Sequence, residues 1–190
     1  QRHHGSRYQR PSDALPQAMS QKLQAIQAVE TVVLRPGDFH FGSGKTRIST
    51  LLGSCVSITL WHPRKHIGGM CHYMMTERNR PPESPLDGRY ATEAFELFLQ
   101  HVEQANTRPS EYQAKLFGGA NMFKSAKGGM DIGARNIECA HRLLASKHIA
   151  LIAEHVAGSG RRKLHFDIWS GDVWLAFPEG EGADIRNIHG

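Results

Sequence analysis

Val56, Ile58 and Leu60 alternate with Ser57, Thr59 and Trp61, and a second run over residues 67–72 follows the short turn His62-Pro63-Arg64-Lys65. Alternation with a period of two marks a strand, and two such runs joined by a few turn-forming residues predict a β-hairpin. The fold must therefore contain an antiparallel pair here. The same pattern fixes where two reactive side chains meet. Cys55 enters the first run from the small-residue turn Leu52-Gly53-Ser54, and His72 closes the second, so both lie near one end of the hairpin.

A thiol attacks as thiolate, and an imidazole beside it is the common means of keeping it ionised and of protonating a leaving group later. The plainer alternative is that Cys55 is a small buried hydrophobe and His72 a satisfied polar residue. Backbone N–H groups near Gly53, Ser54 and Cys55 are natural donors to a developing oxyanion, because glycine and serine let the chain turn tightly with its amides outward.

The rest of the chain reads as an α+β domain. Strands are expected at residues 31–34, 45–52, 113–117, 149–155, 163–167 and 173–177, with turns at 158–160 and 170–172. Residues 91–106 place Ala94, Phe95, Phe98, Leu99 and Val102 at helical spacing. Residues 132–147 do the same with Ile137, Ala140, Leu143 and Leu144 behind Asp131 as N-cap. The prolines and charges of residues 77–88 predict an exposed loop. Residues 1–30, rich in Gln, Arg, His and Pro, read as a mobile basic arm with at most a short helix over 14–29, and 179–190 as a tail. The first six residues offer no apolar signal core and are set aside from the fold. A single domain over 31–178 is the economical reading of 190 residues.

Three cysteines without framework spacing, and no apolar run long enough to span a bilayer, fit a reducing cytoplasm with no membrane insertion. The net charge of +5 is dispersed, with Arg161-Arg162-Lys163 the only tight cluster, so no nucleic-acid partner is expected. Cys55, Cys71, His72, Cys139 and His141 include no C-x-x-C pair, and adjacent Cys71 and His72 point oppositely on a strand, so no metal is expected either.

Four blocks in order carry a resemblance: Leu51-Leu52-Gly53-Ser54-Cys55-Val56, Gly68-Gly69-Met70-Cys71-His72, Lys115-Leu116-Phe117-Gly118-Gly119-Ala120-Asn121-Met122 and Ile132-Gly133-Ala134-Arg135-Asn136. Together, over about residues 32–177, they resemble the CheD family of chemoreceptor glutamine deamidases. The resemblance implies a three-layer α/β/β sandwich similar to the catalytic domain of cytotoxic necrotizing factor toxins. It implies an amidohydrolase without cofactor that converts receptor glutamines to glutamates through a thioester on Cys55, with His72 as acid and base. The implied protein substrate is the cytoplasmic helices of chemoreceptors, which the basic surface would attract, and the implied location is the cytoplasm at receptor arrays. A second implied use is as an interaction module that binds and stimulates a CheC-type phosphatase; a generic thiol protease is a weaker third reading.

The family's third residue, a threonine six positions before the nucleophile, falls here on Ser49, with Thr50 next to it. Ser49 is the expected partner of His72, and Thr50 the alternative, since strand alternation lets only one of them reach it. Phe117, Gly118, Gly119 and Asn121 either line the substrate cleft, with Phe117 against the glutamine stem and Asn121 on its amide, or form a strand-end turn. Arg135 and Asn136 are expected to secure a helix to its neighbouring loop.

Overall fold

The structure, a computed structural model, describes residues 17–19, 21, 28–122, 131–179 and 185–189. Its elements in chain order are β1 (Glu30–Val33), β2 (Phe39–Ser43), β3 (Thr46–Leu52), β4 (Val56–His62), β5 (Ile67–Cys71), α1 (Ala91–Gln104), β6 (Gln113–Gly118), α2 (Ile132–Ser146), β7 (Ala150–Val156), β8 (Arg162–Asp167), β9 (Val173–Ala176) and β10 (Arg186–Asn187). One sheet runs β1-β3-β8-β9-β10 and the other β2-β5-β4-β6-β7. Pairing is antiparallel except for β1 with β3 and β6 with β7.

Burial assigns the layers. Strand β4 is central and covered on both faces, which is why its alternating residues are nearly all buried. Val56, Ile58 and Leu60 face α1 and α2, packing with Phe95, Phe98, Leu116, Ala140 and Leu144. The opposite face of this sheet contributes Met70 and Phe117 to a second core with Ile48, Leu52, Leu164 and Phe166 from the other sheet. Helices thus cover one face of the second sheet and the first sheet covers the other, which makes a mixed α+β domain in three layers.

Most expected elements sit within a residue or two of their forecast positions. Two strands were not foreseen. Strand β2, at the edge beside β5, carries His40 and Gly42, which weaken any alternation. Strand β10 draws part of the expected tail into the first sheet, where Arg186 faces Leu175 and Asn187 faces Trp174. The Ile188 carbonyl also accepts from buried Lys115 Nζ at 2.7 Å. The helix forecast over 14–29 lies mostly outside the described residues; 17–19 and 21 are helical.

Candidate active site

Strand β3 belongs to one sheet and β4 to the other, so the turn Gly53-Ser54-Cys55 carries the chain across the sandwich. Its three carbonyls are all held from one side. Gly53 O accepts from Ala120 N at 3.0 Å, Cys55 O from Gly119 N at 2.9 Å, and Ser54 O from Asn136 Nδ2 at 3.3 Å. The peptides of the described residues are all trans, and in a trans peptide C=O and N–H point oppositely. Holding the Gly53 and Ser54 carbonyls inward therefore aims the amides of Ser54 and Cys55 the other way. Gly118 makes this approach possible: its φ is +102°, and a Cβ there would stand 2.3 Å from the Cys55 carbonyl oxygen.

The hairpin brings Cys55 and His72 together. Register runs from Thr59 opposite Met70 to Val56 opposite Tyr73, where Val56 N and Tyr73 O are 3.0 Å apart. Counting along it sets Ser57 opposite His72 and puts Cys55, Ser57 and His72 on one face, Cys55 and His72 as diagonal neighbours. Between these anchors the Ile58 amide turns to the Cys71 sulfur at 3.4 Å. Cys71 lies on the helix side, fully buried, with its thiol pushed up to about 12 by burial. Ser57 is also fully buried, and its Oγ has no hydrogen-bond partner among the described residues.

Ser49, the expected partner of His72, does not reach it. Its Oγ lies 2.6 Å from Nδ1 of His165, its register partner on the outer face of the first sheet. The inner face of β3 is fixed by Ile48 and Leu52, both fully buried between the sheets, and Thr50 stands between them. Thr50 Oγ1 is 2.7 Å from His72 Nδ1 and 2.8 Å from the Leu34 carbonyl. A hydroxyl has one proton, and a carbonyl can only accept, so Thr50 donates to Leu34 and accepts from His72. That places the imidazole proton on Nδ1 and leaves Nε2 as a base. The segment after β1 closes over this pair: Leu34 N donates to Ser49 O and Gly37 N to His72 O, each at 2.8 Å.

Three of the four residues expected to line the substrate cleft are buried. Phe117 is fully buried in the core between the sheets and cannot pack on a substrate. Gly118 and Gly119 are buried behind the Gly53-Ser54-Cys55 turn. Asn121 is exposed, with its backbone N–H donating to Gly158 O at 2.8 Å. Its neighbour Met122 is exposed too and lies over Gly53. Asp131 caps α2 by accepting from Gly133 N at 2.9 Å.

Burial sets the charge state of the pair. It pushes the His72 imidazole down to about 4, against a smaller upward pull from the Asp38 carboxylate, and it raises the half-buried Cys55 thiol above the usual thiol range. The resting pair is therefore a neutral thiol and a neutral imidazole, not the ion pair that residue types alone suggested. Burial disfavours the charged form of each group.

The His72 shift has a measurable consequence. Because the folded-state value lies below the unfolded one, the unfolded chain binds the extra proton between about pH 6.5 and about pH 4. The stability this group contributes is complete above that window and is lost as pH falls through it, by about 3 kcal/mol. The urea midpoint is expected to fall on acidification across this window, and less steeply in His72→Gln. Burial also lowers His101, His155 and His165, so some slope remains. Equal slopes in the two proteins would remove His72 as a contributor.

Among the described residues, no three His, Cys, Asp or Glu side chains are grouped to hold a metal ion, and no helix is long and apolar enough to cross a membrane.

Comparison with known proteins supplies a family. The family model CheD, described as chemotactic sensory transduction, matches residues 74–177. A probable chemoreceptor glutamine deamidase CheD 3 of Dechloromonas aromatica is 72% identical over 160 residues, which cover 84% of this chain and 94% of that protein. An alignment of that length necessarily takes in residues 49–72. A probable chemoreceptor glutamine deamidase CheD of Pseudomonas fluorescens is 46% identical, covering 76% of this chain and 82% of its own. One from Chromobacterium violaceum is 45% identical, covering 78% of each.

Proposed function

The chain belongs to the CheD family, and on that premise we propose that it is a cysteine amidohydrolase converting glutamine side chains of chemoreceptor cytoplasmic helices to glutamate. The observation that carries this reading is the double hydrogen bond of Thr50, which leaves His72 Nε2 unprotonated on the hairpin face that Cys55 shares by register.

A primary carboxamide is a poor electrophile with a poor leaving group, so its hydrolysis needs a strong nucleophile, a proton for ammonia and donors for the oxyanion. His72 Nε2 takes the thiol proton as Cys55 Sγ bonds to the carboxamide carbon. The carbonyl oxygen becomes an oxyanion facing the Ser54 and Cys55 amides. When the C–N bond breaks, the proton on His72 goes to nitrogen, ammonia leaves and a thioester remains. Water, deprotonated by His72, then attacks the thioester carbon, and the C–S bond breaks to give glutamate and the thiol. Thr50 holds the Nδ1 proton throughout, so Nε2 alone exchanges protons. Ser57, on the same face, has a hydroxyl free to donate to the sulfur as it becomes anionic.

Mass measurement on a receptor cytoplasmic fragment incubated with the protein tests the reading, since each exchange of amide nitrogen for oxygen raises the fragment's mass. An unchanged fragment, with the protein folded and Cys55 reduced, would refute it. Layering of helices, sheet and sheet supports an architecture like that of the cytotoxic necrotizing factor catalytic domain. A CheC-type phosphatase and the receptor array are the further partners this reading carries; co-elution with purified CheC would support the first, and separate elution would remove it.

Thiol reactivity offers a second check. Cys55 is half-buried, whereas Cys71 and Cys139 are 0% and 1% exposed. Iodoacetamide is expected to modify Cys55 first, with a rate that keeps climbing above neutral pH because the thiol is not ionised at rest. A rate already level at neutral pH would mean a preformed ion pair, and faster modification of Cys139 would move the reactive thiol to α2.

A further inference from the structure

We infer that Asn136 is the positioning residue of the oxyanion site, acting through the turn peptide that presents the Cys55 amide; this rests on the acyl-transfer reading of Cys55 given above. Its side chain is buried, with 1% of the residue exposed, so it acts through the chain and not on a substrate. The two hydrogens of its amide go to carbonyls on either side of the reacting pair. One reaches Ser54 O at 3.3 Å, just before Cys55, and the other Met74 O at 2.8 Å, two residues after His72. A single side chain thereby ties the nucleophile turn to the end of the strand that bears the base.

Three clamps hold the turn carbonyls, and the Asn136 contact is the one made by a side chain; the Gly119 and Ala120 contacts are backbone amides. Holding Ser54 O fixes the plane of the peptide between Ser54 and Cys55, and with it the direction of the Cys55 N–H. Without that hold the peptide is free to rotate, and a donor that must reorganise during the reaction stabilises an oxyanion less. Asn136 is itself held. The Tyr73 hydroxyl donates to its backbone carbonyl. The first turn of α2 is pressed onto the Gly119 strand end, so closely that a Cβ at Gly133 would stand 2.3 Å from Gly119 O. Nothing in the sequence pattern sets Asn136 apart from a residue that fastens a helix.

The test compares two reactions of Cys55, neither of which needs a receptor. Acylation by p-nitrophenyl acetate passes through an oxyanion, whereas alkylation by iodoacetamide displaces iodide and forms none. With Cys55→Ala as the blank, Asn136→Ala is expected to slow acylation by about 10- to 100-fold while alkylation stays within about threefold of wild type. Equal loss in both reactions would show that the residue merely supports the fold, and no loss in either would show that it is idle; both overturn the inference. Should Asn136→Ala fail to fold, Asn136→Ser retains a single donor and is expected to give a smaller fall in the acylation-to-alkylation ratio. A wild-type ratio in Asn136→Ser would equally overturn it. Because the reagents replace the receptor, a protein that fails to deamidate receptor glutamines leaves this result standing on its own.

Discussion

Cys55→Ala is expected to lower glutamine deamidation by about 10⁴-fold or more, to the level of the uncatalysed reaction, while the protein stays folded. The two halves of this expectation have separate physical grounds. Without sulfur there is no thioester, and no other group on that face is placed to substitute among the described residues. Ser57, whose hydroxyl shares that face by register, is fully buried and cannot take up the attack on a protein side chain. Stability is little affected because the turn is held by its backbone. Gly119 N still donates to residue 55 O, Ala120 N to Gly53 O and Asn136 to Ser54 O, whatever side chain residue 55 carries. Alanine keeps the Cβ, and the sulfur packs only at the margin of the core between the sheets. A thermal melt within a few degrees of wild type, with no mass change on the receptor fragment, is the expected pair of readings. Deamidation retained by Cys55→Ala would end the covalent mechanism, and a collapsed melt would show that the sulfur has a packing role the structure does not assign to it.

Which parts of this were legible in the sequence follows from which contacts are local. The β4–β5 hairpin and the two helices announce themselves through periodicity, because each buries one face against a core. Edge strands β2 and β10 bury little and so alternate weakly. Phe117 sits near a strand end, where an aromatic residue suggests a cleft, yet β6 lies inside its sheet and both of its faces are covered, so Leu116 and Phe117 are buried in different cores. Asn136 illustrates the opposite limit. Its bond to Ser54 spans 82 residues of sequence, and no periodic pattern encodes a contact of that length. The charge state of the Cys55–His72 pair was also out of reach, since it depends on how deeply the site is buried.

The hydroxyl partner of His72 was legible after all, and it yields the sharpest mutational contrast. Ile48 and Leu52 mark the inward face of β3, and alternation then puts Thr50 inward and Ser49 outward; counting back from Cys55 by the family's spacing lands on the wrong parity. Thr50→Val keeps the shape and removes only the hydroxyl. That strips the Nδ1 proton of His72 of its acceptor and the Leu34 carbonyl of a donor, both in a buried setting. The imidazole is then free to move its proton to Nε2 or to turn, and either change takes away the base. A loss in kcat of about 10- to 1000-fold is expected, as hydrogen-bond losses of a few kcal/mol imply, with KM for the receptor fragment little changed. Thr50→Ser should recover most of the activity, because the hydroxyl returns and only a methyl is missing. Ser49→Ala removes a bond to His165 on the far side of the sheet, so kcat should stay within about threefold of wild type even if the melt falls. The ordering of these three variants is the test. Damage from Ser49→Ala with Thr50→Val silent would mean that the inner face of β3 is not the one its buried residues define.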